Sequence, residues 1–231
     1  MQLEEELTDN SSKGGCIMGR KIITISRQAG SGGHEIAELL AEKLALPLHD
    51  RNVVEAAIKE LDIEDIETVD ASEVDEKLVV DYVAKFAKGY HAIFGKGKLY
   101  HMMDHSKDDE PTISEKLFVA ESKIIEKLAA TGPCIIVGRC ADYVLRERDD
   151  VLSVFITAEE EERVQRMMER RQMSHERAVN AVEFADRDRA KYYQAYTKQK
   201  WGSPDSYDIT VSSSKLGVQG VVELIADLYE K

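Results

Sequence analysis

Read for hydrophobic period, the chain switches between short apolar runs and longer stripes of helical spacing. Ile22, Ile23 and Ile25 are β-branched and nearly unbroken, the pattern of a strand buried on both faces of a parallel sheet. Beyond a glycine-rich stretch, Ile36, Leu39, Leu40 and Leu44 recur on one stripe, with Glu35, Glu38, Glu42 and Lys43 elsewhere, which predicts an amphipathic helix. Pro47 ends that helix, and Leu48, His49 and Asp50 predict a second short strand. Further strands are predicted over residues 134–137, 151–156 and 207–211. Helical stripes recur at Val53, Val54, Ala57, Ile58 and Leu61, at Leu117, Ala120, Ile124, Ile125 and Leu128, and at Val218, Val221, Val222, Ile225 and Leu228. About five short strands alternating with helices read as an α/β fold, a parallel sheet in three α/β/α layers. Residues 52–131 carry no strong strand signal and read as an inserted helical region, with a mobile loop over residues 89–111. Thr112 with Glu115, and Thr157 with Glu160, are spaced as capping boxes.

Composition narrows the class. A chain of 231 residues with 43% hydrophobic content can bury a full α/β core as one domain over residues 21–231. A net charge of −13 argues against a surface dedicated to nucleic acid or anionic membrane, while leaving room for a local basic pocket. Cys16, Cys134 and Cys140 are widely spaced and form no C-x-x-C pair, so neither a disulfide framework nor a zinc site is indicated, and a reducing cytoplasm fits. No apolar stretch approaches the ~18 residues of a membrane span. Residues 1–20 are acidic and then Ser/Gly-rich, unlike a signal peptide, and read as a disordered tail in which Met18 is a second candidate start.

The glycine-rich turn between the first strand and its helix carries the chemistry. Gly30, Ser31, Gly32 and Gly33 allow positive φ and turn backbone N–H groups inward, an anion nest leading into a helix N-terminus. Strand, nest and helix in that order favour nucleotide phosphate. Against the Walker A pattern G-x-x-x-x-G-K-[ST], however, Arg27 falls at the first glycine, Gly33 at the lysine and His34 at the hydroxyl residue. Another cation has to stand in for the lysine, and Arg27, at the mouth of the loop, can grip phosphate oxygens bidentately. The alternative is a tight strand-to-helix turn with a surface arginine.

Other residues converge on the same rim. Asp50 and Arg51 follow the second strand, and Arg139 follows Gly138 at the end of the third, at the sheet edge where open α/β folds keep their ligands. Arg163, Arg166 and Arg170 share one helix face, with Arg171 beside them; they are either functional or a solvated face paired with Glu159 to Glu162. Asp186 and Arg189, one turn apart, can serve one ligand or pair with each other. His101, His105, Asp104 and Asp108 are close enough in sequence to suggest a metal site, but without an H-E-x-x-H arrangement or cysteine partners solvated polar side chains are the preferred reading.

Several separate segments agree with one family. S-R-Q-x-G-S-G-G at residues 26–33, V-G-R at 137–139, E-R-x-x-R at 162–166, D-R-D-R-A at 186–190 and a late Y-D-I strand occur in order, and on them the chain resembles bacterial cytidylate kinases, most closely their cytidylate kinase-like branch. The resemblance implies a P-loop nucleoside monophosphate kinase fold with a core over residues 21–51 and 132–231, a helical monophosphate-binding insertion over about 52–131 and a small arginine-bearing lid over about 160–186. It implies ATP-dependent phosphoryl transfer to a nucleoside monophosphate of the CMP type or a related small phosphate acceptor. Gly30, Ser31, Gly32, Gly33 and His34 would hold ATP phosphates; Asp50, Arg51, Arg139, Asp186 and Arg189 the acceptor; Arg27, Arg163, Arg166, Arg170 and Arg171 the transferred group. Mg²⁺ would arrive with ATP, held by phosphate and water. The chain departs from the cytidylate kinase pattern at Arg51, at Cys140 in place of an aspartate, and near Val182 in place of an arginine. Two other readings stand beside the kinase: a nucleotide-binding regulatory module without turnover, and an acidic helical interaction protein.

Overall fold

The structure, a computed structural model, describes residues 21–50, 53 and 113–231. Five parallel strands form one sheet: β1 (Ile22–Arg27), β2 (Leu48–His49), β3 (Cys134–Val137), β4 (Val151–Thr157) and β5 (Ile209–Ser212), in the order β2-β3-β1-β4-β5. Side chains of a strand alternate between its faces, so β1 feeds two cores at once. Ile23 and Ile25 pack against Ile36 and Leu40 of α1 (Gly33–Leu44) and against Val221, Val222 and Ile225 of the C-terminal helix (Ser213–Tyr229). Ile22 points the other way, with Cys134 and Ile136, onto Ala120, Ile124 and Ile125 of α2 (Ile113–Thr131) and onto Ala141 and Leu145 around the short helix α3 (Ala141–Val144). That is the three-layer α/β/α arrangement expected from the alternating elements.

Two boundaries differ from the sequence reading. The insertion was expected to run to about residue 131, yet α2 lies on the sheet as a layer helix, because its apolar stripe is the one that covers Ile22 and Ile136. Thr157 does not cap the following helix, α4 (Glu160–Arg171), whose first flanking residue is Glu159. The Thr157 hydroxyl instead bonds Gln28 Oε1, tying the end of β4 to the glycine-rich turn. Helix α5 (His175–Thr197) runs back along α4, and Val164, Ala178 and Val182 form a small core with Ala29 of that turn. Val182 is thus an apolar contact inside the hairpin. Residues 89–111, with His101 and His105, and Arg51 lie outside the described residues.

Topology locates the crevice. The chain leaves β1 for α1 on one face of the sheet, while β3, its neighbour, leads into α3 on the other. Adjacent strands whose connections part to opposite faces open a cleft at their carboxyl ends, and Arg27 and Arg139 stand there.

Candidate active site

The glycine-rich turn is built as its sequence requires. Gly30 and Gly32 have φ of 75° and 79°, and α1 starts at Gly33 with the Ile36 N–H bonded to the Gly32 carbonyl. The N–H groups of Gly33, His34 and Glu35 therefore belong to the first helical turn, without intrahelical acceptors, and point out of the helix end with its partial positive charge. Ser31 is buried and its carbonyl accepts a 2.6 Å hydrogen bond from Ser213 Oγ.

Arg27 occupies the space that a side chain at residue 33 would need. A Cβ added to Gly33 would lie 2.6 Å from Arg27 Cβ and 2.8 Å from its Cγ, and a Cβ on Gly138 would run into Arg27 Nη1. Two glycines 105 residues apart thus form a slot in which the arginine lies, stem on one and guanidinium against the other. Asp50 Oδ1 stands 3.7 Å from Arg27 Nη2, and Asp50 Oδ2 stands 3.0 Å from His34 Nδ1. Burial, helped by the nearby positive charges of Arg189 and Arg139 and opposed by Asp50, lowers the Arg27 pKa to about 10. Such mutual repulsion among three guanidiniums is relieved by an anion.

Arg139 follows Gly138 at the end of β3. Gly138, Arg139 and Cys140 have φ of 75°, 57° and 55°, three successive left-handed residues that turn the chain sharply into α3. Arg139 Nη1 lies 3.3 Å from Glu121 Oε1 on α2. Burial disfavours its charge, but Glu121, with Tyr192, Asp50 and Cys140, outweighs burial and raises its pKa. Arg189 reaches the same crevice from α5; burial, against the pull of Asp186, lowers its pKa.

The α4–α5 hairpin is fastened to the loop through Asp186. Its Oδ1 accepts from the Ala29 N–H at 2.7 Å and faces Arg189 Nη1 at 3.4 Å, and its Oδ2 pairs with Arg163 Nη1 at 2.5 Å. Arg166 Nη1 donates to the Gly30 carbonyl at 2.6 Å, and Arg170 Nη2 lies 3.4 Å from Glu35 Oε2. Arg163, Arg166 and Arg170 therefore face the loop together, as their helical spacing predicted. Arg171, next to Arg170 at the end of α4, is exposed.

Several participants were not assigned a role from sequence. Gln28 Oε1 accepts from the Ala158 N–H at 3.3 Å as well as from Thr157, holding β4 to the loop. Asp142, buried beneath the crevice, accepts from Tyr193 Oη at 2.6 Å and from Ser26 Oγ at 3.4 Å. Glu121 is fully buried and accepts from Tyr192 Oη at 2.7 Å. A signal for Glu121 was available: it stands on the apolar stripe of α2, four residues after Leu117 and three before Ile124, where a carboxylate is out of place.

Magnesium fits poorly as a ligand of protein groups here. The position of the usual hydroxyl ligand is His34, turned to Asp50 and Glu38, and among the described residues no group of three or more His, Cys, Asp or Glu is placed to hold a metal ion. No helix among the described residues is long and apolar enough to cross a membrane.

A structure of an uncharacterized protein from Eubacterium ventriosum superposes with a TM-score of 0.65 at 23% identity, over 91% of this chain and 98% of that one. Shikimate kinase from Bacteroides thetaiotaomicron gives a TM-score of 0.49 at 11% identity, over 91% of this chain and 98% of that one. No curated protein matches the sequence. The model of the cytidylate kinase-like family matches residues 22–215, spanning every strand and the arginine-bearing hairpin. The chain belongs to the cytidylate kinase-like family.

Proposed function

We propose that the protein is an ATP-dependent phosphotransferase acting on a nucleoside monophosphate of the CMP type, or on a related small phosphate acceptor. The observation that carries this reading is the placement of Arg27, Arg139 and Arg189 around one crevice beside the amide-lined loop. Phosphoryl transfer asks little covalent help from a protein; it requires donor and acceptor in line, neutralised charge and exclusion of water. The amides of Gly33 and His34 would receive donor phosphate oxygens. Arg27, lying where a Walker A lysine would extend, would meet the transferred group, while Arg139 and Arg189 would hold the acceptor with Asp50 and Asp186 aligning them. Arg163, Arg166 and Arg170 would close over the phosphates from the hairpin. Mg²⁺ would enter bound to ATP, its remaining ligands water, since the described residues offer it no cage.

Gly33 also favours a second reading, a module that binds nucleotide without turnover. A coupled assay of ADP release over a panel of monophosphates separates the two. In an enzyme, Arg27→Ala lowers turnover by roughly 10²–10³ while the fold persists, the cost of one charge-stabilising contact in the transition state. Absence of turnover by the unmodified protein with every monophosphate, despite ATP binding, would leave the regulatory reading.

A further inference from the structure

An ionisable cluster among the described residues that the proposed chemistry does not use stands directly behind the acceptor side of the crevice. Glu121 is fully buried, at 0% exposure, whereas Arg139 is 28% exposed and reaches the crevice. Glu121 Oε1 lies 3.3 Å from Arg139 Nη1 and has no hydrogen-bond partner among the described residues, so this contact is an ion pair without hydrogen-bond alignment. Its other oxygen is fixed by the 2.7 Å hydrogen bond from Tyr192 Oη. Tyr192 in turn is packed: its ring meets Tyr196 edge-on at 4.7 Å, and Tyr196 stacks on Phe118 at 4.5 Å. Phe118 and Glu121 are neighbouring turns of α2, so the aromatic stack and the carboxylate belong to one rigid face.

Three elements meet at this carboxylate: α2 supplies it, α5 supplies Tyr192, and the left-handed turn after β3 supplies Arg139. Tyr192 follows Arg189 by three residues, one turn further along the same side of α5. A hydrogen bond at Tyr192 therefore helps fix where Arg189 stands along the crevice. Burying a carboxylate is unfavourable, and an apolar residue at 121 would suit the α2 stripe better for stability alone. A buried charge against a functional arginine instead holds a long side chain in one orientation, lowering the entropy that ligand binding must remove.

We propose that Glu121, clamped by Tyr192, is a positioning residue for the acceptor: it orients Arg139 toward the acceptor phosphate and is silent toward ATP. The inference rests on the kinase reading of the crevice. In it Glu121 touches no substrate and acts through Arg139.

The test is calorimetric binding of CMP, then of other monophosphates, and separately of Mg-ATP, to the full chain and to Glu121→Gln. The amide keeps size and can still accept from Tyr192, while the charge is lost. Expected is a weakening of monophosphate binding by about tenfold or more, the scale of one lost charged contact, with Mg-ATP affinity unchanged. Tyr192→Phe, which removes only the hydroxyl, should weaken the same ligand in the same direction, and it serves if Glu121→Gln does not fold. In an Arg139→Ala background, Glu121→Gln should add nothing, because a residue acting through Arg139 has nothing left to act on. Equal monophosphate affinity in Glu121→Gln and the unmodified protein overturns the inference alone, as does an equal loss for both ligands, the mark of a merely structural role. Failure of the unmodified protein to bind any monophosphate overturns the kinase reading and the inference with it.

Discussion

Arg27 lies beside the position at which a Walker A loop carries its lysine. The absence of a side chain at Gly33 leaves room for the stem of Arg27, and its absence at Gly138 leaves room for the guanidinium. Asp142 presents a different balance at the same scale. Burial, offset in part by hydrogen bonds from Tyr193 and Ser26, raises its pKa from 3.8 to about 6. An acid whose folded pKa lies above its unfolded one binds its proton more tightly in the folded state, so stability is greatest below the unfolded value and falls as pH rises from about 4 to about 6. At about 1.4 kcal/mol per unit the full effect is about 3 kcal/mol. Asp142→Asn should therefore gain stability relative to the unmodified protein between pH 4 and pH 7, read as the pH dependence of the urea midpoint. A constant difference across that range would show that Asp142 does not titrate in the fold.

At the scale of elements, the hairpin of α4 and α5 is joined to the loop by contacts only a glycine allows. A Cβ on Gly30 would run into the Arg163 carbonyl of α4, and φ at residue 30 is already left-handed. The first turn of α4 thus rests directly on the loop backbone, with Arg166 on the Gly30 carbonyl and Asp186 on the Ala29 amide closing both sides. Gly30→Ala should cost about 1–2 kcal/mol from the left-handed backbone alone and push α4 off the loop. The expected outcome is a lowered melting temperature together with faster hydrogen exchange in residues 28–34 and 160–171, leaving the exchange of β3 unchanged. An unaltered exchange pattern would mean that the helix and the loop are independent.

For the molecule as a whole, the groups proposed to hold donor and acceptor share residues. Asp186 touches the loop amide at Ala29, the hairpin arginine Arg163 and the crevice arginine Arg189, and Asp50 lies between Arg27 and His34. Two ligands drawing on one set of contacts are coupled, and the coupling is reciprocal. Mg-ATP should bind more tightly in the presence of saturating CMP, by about 5-fold or more if the coupling reaches the usual scale, and CMP more tightly with a nonhydrolysable ATP analogue by the same factor. Titrations in which each ligand ignores the other would place the two sites on independent parts of the fold.

Local rules were enough for much of this protein. The β-branched run of β1, the glycines that follow and the stripe of α1 are decided by backbone sterics and hydrophobic period within some twenty neighbouring residues, so the strand, nest and helix were legible from the chain, as were all five strands and the shared face of Arg163, Arg166 and Arg170. The absent lysine could be noticed there, and Arg27 proposed as its substitute. What the chain could not reveal is any contact between residues far apart along it. The slot for Arg27 needs Gly138 beside Gly33, the fastening of the α4–α5 hairpin needs Asp186 beside Ala29, and the contacts of Arg139 need Glu121 and Tyr192 from two different helices. These pairings follow from the order β2-β3-β1-β4-β5, which brings the ends of β1 and β3 side by side. Period and propensity act within one element, whereas the packing of elements against one sheet decides which charges share a crevice.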